Sequence, residues 1–278
     1  MAAITAPTWT AGLELKEAAV ANLALYRIAA DPIKDTLEDT PSSRQCRVVF
    51  PAVRDELLRD YPFNFAMRRA NLAEDTSFSP KGEWTYAYKV EPYPAAYATI
   101  GTTALSAVLT GFTGLAVNAL RGLKVSGAGI PTGAYVVSND ATTVTLNAAA
   151  TASASITITM ALAMLKLLEV DGNNANSFEI IGEGPSRRLL CNLVTTTGTP
   201  NLLEIKYVEQ VADPDSWDSL FKDALVLRLG SKLAVPLTKR ADLAQFLQGE
   251  FAAILTLAKM ASSKERVVEE GESSWTAR

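Results

Sequence analysis

The feature that most limits how this chain can fold is a long stretch almost free of charge. From Thr99 to Ala161 the only charged residues are Arg121, Lys124 and Asp140. Threonine, serine, glycine and alanine dominate it, and β-branched residues alternate or cluster in VVSNDATTVTL and ASITITM. These are strand signals. The runs GAGIPTGAY and SND punctuate them as turns. A module of four or five short strands is therefore predicted over 99–161. Set into a loop of its host, it should have its two ends close together.

The host is 1–98 together with 162–262. Helical spacing runs from Leu13 to about Ala29 and breaks at Asp31-Pro32, because a residue before proline avoids the α region. A second helix, Ser42 to Asp60, places Cys46, Val49, Phe50, Val53 and Leu57 on one face. Ser42 or Ser43 is its expected cap, and Pro51 predicts a kink or a break. A third short helix is predicted from Phe63 to Leu72. After the module, LKLLEV, FEIIGEG, RLLCNLVT and LLEIKYVE read as strands. Helical spacing returns at Asp215, the expected N-cap, with Trp217, Leu220, Phe221, Ala224 and Leu225 in one stripe and a stop or kink at Pro236. The last helix, about Lys239 to Ser262, carries Leu243, Phe246, Leu247, Ile254, Leu257 and Ala258. Residues 263–278 read as a flexible polar tail with a lone Trp275. The predicted fold class is α+β: a bundle of N- and C-terminal helices, a small β-sheet region and an inserted all-β module.

Composition removes several kinds of chemistry. The chain has no histidine, which excludes His-dependent triads and His-ligated zinc. Cys46 and Cys191 are the only cysteines, too few for a four-cysteine metal site or a disulfide scaffold. They fit a reducing compartment, with both thiols free as the expectation. A net charge of -4 gives no basic footprint for nucleic acid. No signal peptide is expected, since the start lacks a basic segment followed by an apolar one. The closest approach to a membrane span, Ala104 to Leu120, is interrupted by Ser106, Thr110, Gly111, Thr113, Gly114 and Asn118, so no membrane partner is expected.

The chain's motifs carry little chemistry. GEGPSR at Gly182–Arg187 lacks the phosphate-loop lysine and the third glycine of a dinucleotide fingerprint, and GAGIPTG at Gly127–Gly133 reads as a turn cluster. Glu38 with Asp39, Glu74 with Asp75, and Asp213 with Asp215 are the carboxylate pairs available for acid–base work. Capping or solvent exposure is the simpler reading of each. Asp213-Pro214-Asp215 lacks the rest of a calcium loop. RDYPFNFAMRRANLA, Arg59 to Ala73, combines aromatics with Arg68 and Arg69. Stacking on single-stranded nucleic acid is one reading, and core aromatics with solvated or interface arginines is the other. No cofactor and no metal are expected.

The segment from Asp31 to Ala73 resembles the N-terminal signature of podovirus head-to-tail adaptor proteins, also called tail tubular protein A. The family run P-(W/F)-N-F-A-x-x-R-x-x-L is matched by Pro62, Phe63, Asn64, Phe65, Ala66, Arg69 and Leu72. A tyrosine-rich strand follows in the family, matched by Trp84, Tyr86, Tyr88 and Pro92 with less regular spacing near the proline. A third element matches at Tyr207, Trp217, Phe221, Ala224, Leu233, Ala234 and Thr238. The resemblance covers roughly 1–98 and 162–262. The 99–161 module resembles the immunoglobulin-like modules that decorate many phage structural proteins.

The resemblance implies a non-enzymatic virion protein of the head–tail neck, made in the host cytoplasm. Such proteins form a ring, of twelve subunits in the family, that joins the portal protein to the tail nozzle protein. Genomic DNA passes through the channel without sequence-specific binding. The implied docking element for the portal is the tail: Lys264, Arg266, Val267, Val268, Trp275 and Arg278. The implied core or subunit signature is Phe63, Asn64, Phe65, Arg68, Arg69, Trp217 and Phe221. The competing expectations are a tail-associated cell-wall hydrolase using two carboxylates and a glycan-binding tail protein using the module. The module offers only Phe112 and Tyr135 as sugar-stacking aromatics.

Overall fold

The computed structural model describes residues 14–91, 96–113, 115, 117, 119–131, 133–162, 164–173, 176–182, 187–198 and 200–265. The chain divides into two compact units, one formed by 1–66 with 210–278 and the other by 67–209.

The first unit is helical. It contains α1 (Glu14–Arg27), α2 (Pro41–Asp60), α3 (Ser219–Thr238) and α4 (Ala241–Lys264). Helix α3 is the hub, and α1, α2 and α4 all pack against it. Its buried Phe221, Ala224, Leu225, Leu229 and Leu233 meet a core that includes Leu25, Phe50, Leu57 and Leu58. Helix α2 is capped by Thr40, whose hydroxyl accepts from the Ser43 amide, and not by Ser42 or Ser43. It runs through Pro51 as one element. Phe50 and Val53 on either side are fully buried, and tertiary packing of this kind outweighs one lost backbone bond. Asp218, not Asp215, caps α3 by accepting from the Leu220 and Phe221 amides. Asp213 caps a preceding 3-10 turn, Pro214–Ser216.

The second unit is β-rich. Its strands are β1 (Met67–Ala73), β2 (Tyr86–Glu91), β3 (Ala96–Thr102), β4 (Val108–Thr110), β5 (Lys124–Gly127), β6 (Val136–Asn139), β7 (Thr143–Leu146), β8 (Ala154–Ala161), β9 (Met164–Val170), β10 (Phe178–Ile181), β11 (Arg187–Cys191) and β12 (Leu202–Glu209). They form three antiparallel sheets, ordered β1-β12-β9, β10-β11-β2 and β5-β8-β3-β4-β7-β6. One apolar core joins them, from Leu72 and Tyr88 through Ile100, Leu109 and Ile158 to Leu203 and Ile205. The β6–β7 turn is held by Asp140, which accepts from the amides of Thr142 and Thr143. Those bonds pull its carboxyl down to about 2.

Two parts of the predicted fold class are corrected. First, the chain is not a helical bundle with a small β region, because twelve strands stand beside four helices among the described residues. Part of the error is Phe63–Leu72, predicted as a helix. It forms a 3-10 turn at Asn64–Ala66 and then β1, in register with β12 from Met67↔Val208 to Ala73↔Leu202. Second, the inserted module is not immunoglobulin-like. That fold needs two sheets packed face to face. Residues 96–161 form a single six-stranded sheet whose outer members meet. The Val125 amide donates to Ala134 O at 2.8 Å and the Val136 amide to Leu123 O at 2.9 Å. The sheet therefore curls into a nearly closed barrel, which removes most of its free edge.

Candidate functional site

The signature residues fall into two groups. In the helical unit Phe63, Phe65 and Trp217 surround Phe221 edge-on, with ring centroids 5.1, 5.0 and 5.6 Å away. This is the favoured geometry of aromatic quadrupoles. The Trp217 indole N–H donates to Val211 O at 2.9 Å, so its polar edge is satisfied inside the core. Asn64 ties this cluster to the end of α4. Its amide donates to Ser262 Oγ and its Nδ2 to Ser262 O at 2.6 Å, which satisfies a carbonyl in the last turn. A cleft of about 280 Å³ opens here between Phe65, Trp217, Asp218 and Glu265. Lys264 closes α4 beside it. Arg266, Val267, Val268, Trp275 and Arg278 lie outside the described residues.

Arg68 and Arg69 belong to the β unit instead. On β1 they pair with Glu209 at 3.1 Å and Glu204 at 2.8 Å. They line a larger cleft, about 620 Å³, together with Arg121, Tyr135 and Lys206. Nothing in the sequence pattern placed Arg121 with them, since it lies 52 positions beyond Arg69 and the grouping is tertiary.

The apolar faces of the helices also differ from expectation. The six apolar positions predicted for the last helix do not share one buried face. Leu247 and Ala258 are buried, joined by Phe251, whereas Phe246 (61% exposed) and Leu257 (51%) face outward with Met260. On α1, Leu15, Leu23 and Tyr26 (85%) are also exposed. The available signal was an excess of apolar residues over what a single stripe requires.

The carboxylate pairs are each engaged by neighbours. Glu38 accepts from the Lys34 amide, Asp39 pairs with Arg44, and Asp213 and Asp215 both hold Lys16. Glu74 accepts from Asn201 at 2.7 Å. Buried Asp75 binds Ser77, Arg188 at 2.8 Å and Lys89 at 3.7 Å. Burial opposes its ionisation, but the Ser77 and Arg188 hydrogen bonds outweigh it and hold the carboxyl below its usual range. A depressed folded-state value means that this contribution is full above the unfolded value, near pH 4, and is lost as pH falls through the folded one. Asp75→Asn is therefore expected to flatten the acid limb of stability. Urea midpoints measured from neutral pH downward check it, and an unchanged slope below pH ~4 would refute the assignment.

Both cysteines are free and buried, and burial pushes the Cys46 thiol up to about 12. Neither is activated as a nucleophile. Phe112 is buried in the β core and offers no sugar platform, whereas Tyr135 is partly exposed. In GAGIPTG, Gly127 ends β5 and Gly129 and Gly133 take positive φ in the following turn. Most of GEGPSR lies outside the described residues. Among the described residues no group of three or more Cys, Asp or Glu side chains could hold a metal, and no helix is long and apolar enough to cross a membrane. No family model matches the chain, and no curated protein matches it.

Proposed function

We propose that this chain is a structural adaptor of a tailed-phage neck, assembling with copies of itself into a ring between the portal protein and the tail nozzle protein. The observation that carries this reading is the pair of uncovered apolar stripes on the helical unit, Leu15, Leu23 and Tyr26 on α1 and Phe246, Leu257 and Met260 on α4. Contiguous exposed apolar surface marks an interaction site. Two different stripes on two helices suit a heterologous interface, in which one patch meets another on the next copy and the series closes into a ring. The adaptor-like motif order supports the same reading. Its Phe63, Phe65, Trp217 and Phe221 gather near the end of α4, which Asn64 ties down, so a tail departing there has a rigid base. In this reading DNA traverses the channel without sequence readout, and the protein resides in the virion.

The test is light scattering on size-exclusion fractions, for the protein alone and mixed with a portal ring. The wild-type chain is expected to join the portal at ring stoichiometry. Phe246→Glu with Leu257→Glu is expected to leave a folded monomer, because both side chains are exposed, and to abolish assembly. Truncation after Glu265 keeps the Asn64 contacts and is expected to abolish portal binding alone. A wild-type chain that stays monomeric beside the portal would remove the proposal.

A further inference from the structure

We propose that the cleft between β1 and the Arg121–Gly122 turn binds phosphate oxyanions. This rests only on the β unit and is independent of the adaptor reading.

Cations converge on this cleft. The stretch from Thr99 to Ala161 contains only two cations, one in the cleft and the other bound to a carboxylate that also holds a cleft arginine. Arg121 lines the cleft, and Lys124 reaches Glu209, the carboxylate that also holds Arg68. A neutral sequence that concentrates its two cations beside Arg68, Arg69 and Lys206 makes a local positive field that the overall charge of -4 conceals.

Arg68, Arg69, Lys124 and Lys206 all have carboxylate partners. Arg69 is matched by Glu204, and Lys206 by Glu169 at 2.7 Å. Glu209 is shared between Arg68 and Lys124, at 3.1 and 3.3 Å, so one carboxylate serves two cations. Arg121 is exposed and pairs with no carboxylate among the described residues. Its guanidinium fork is therefore open to a ligand, and that fork matches two phosphate oxygens at once.

The turn that carries Arg121 is also held in place by hydrogen bonds. The Asn71 amide donates to Arg121 O at 3.0 Å, the Gly122 amide to Val136 O at 2.9 Å, and the Tyr207 hydroxyl to Gly122 O at 3.3 Å. Three separate elements thus hold the two peptide groups that aim Arg121. The salt bridges above hold the surrounding cations. A site held before binding loses less freedom on binding. A volume of about 620 Å³ lies in the range of small-molecule sites and exceeds one phosphate, and partly exposed Tyr135 gives the rest of a ligand an aromatic wall.

Free phosphate and the phosphodiester of a nucleic acid strand share this chemistry, and two probes separate them. Inorganic phosphate is titrated at low salt by calorimetry, and a labelled single-stranded oligonucleotide by fluorescence anisotropy. Arg121→Gln is expected to weaken binding by about tenfold or more, as loss of a bidentate charged contact does. Arg121→Lys keeps the charge but loses the fork and should fall between. Lys81→Gln removes an equal charge from an exposed loop position outside the cleft and should change little. Arg121 is exposed, so unchanged thermal midpoints are expected to show that the variants fold. Saturation by inorganic phosphate identifies the free ion as sufficient, and binding of the oligonucleotide alone identifies the diester as the source. The inference is overturned if neither probe binds. It is equally overturned if Arg121→Gln binds like wild type, or if Lys81→Gln weakens binding as much as Arg121→Gln does.

Discussion

Arg54→Met is expected to destabilise the helical unit by about 3–5 kcal/mol, the usual cost of removing one partner of a buried ion pair. Arg54 on α2 and Glu17 on α1 have side chains only 5% and 1% exposed, and Arg54 Nη1 lies 3.5 Å from Glu17 Oε1. Methionine fills similar volume, so the loss is chiefly electrostatic: a buried carboxylate deprived of the cation 3.5 Å away. Glu17→Gln should cost less. Arg54 would then still hold Asp55 at 2.9 Å through Nε, at the more exposed edge of the pair. The double variant Glu17→Leu with Arg54→Met should recover most of the stability, because an apolar pair of similar size often equals or exceeds a buried salt bridge. Urea unfolding followed by helical circular dichroism reads all three. A loss under about 1 kcal/mol for Arg54→Met would mean that water already solvates Glu17 and that the pair does not fasten α1 to α2.

The helical unit was largely legible because its determinants are local. The spacing of Cys46, Val49, Phe50, Val53 and Leu57 names the inward face of α2 before any partner is known; four of the five are buried and Val49 is half-buried. The misplaced caps are single-residue matters: Thr40 and Asp218 do the work assigned to their neighbours. What spacing could not give is which apolar face stays uncovered. Helix α4 carries more apolar residues than α3 covers, and the choice of Leu247, Phe251 and Ala258 over Phe246 and Leu257 is made by packing.

The β unit was legible strand by strand and illegible as a whole. VVSNDATTVTL became β6 and β7, as its β-branched alternation predicts. Strand β1 was missed because MRRANLA is rich in good helix formers, and pairing with β12 overrides that weak preference. The near-closure of the six-stranded sheet depends on Leu123 and Val125 meeting Val136 and Ala134, a register that no local pattern encodes. The grouping of Arg121 with Arg68, Arg69 and Lys206 was hidden for the same reason, since it exists only once the barrel sits on β1.

That seat makes Gly122 a glycine that tolerates no side chain. Gly122→Ala is expected to cost about 3 kcal/mol or more. Its φ of +84° is left-handed, which alone costs an alanine roughly 1–2 kcal/mol. The new Cβ would also lie 2.1 Å from Arg69 O and 2.7 Å from Ala70 Cα. Both are backbone atoms of a paired strand and cannot rotate aside, so overpacking adds about 1–3 kcal/mol. The turn would have to retreat from β1, breaking the Asn71–Arg121 and Tyr207–Gly122 hydrogen bonds and carrying Arg121 away from the cleft. Gly133→Ala supplies the control. Its φ is +80°, but a Cβ there meets nothing within 4 Å, so it should suffer the left-handed cost alone. The difference between the two denaturation midpoints isolates the close approach of turn to strand. Phosphate binding should fall in Gly122→Ala and persist in Gly133→Ala. Equal midpoints for the two variants would show that the turn yields freely, and the rigid positioning of Arg121 would then have to be abandoned.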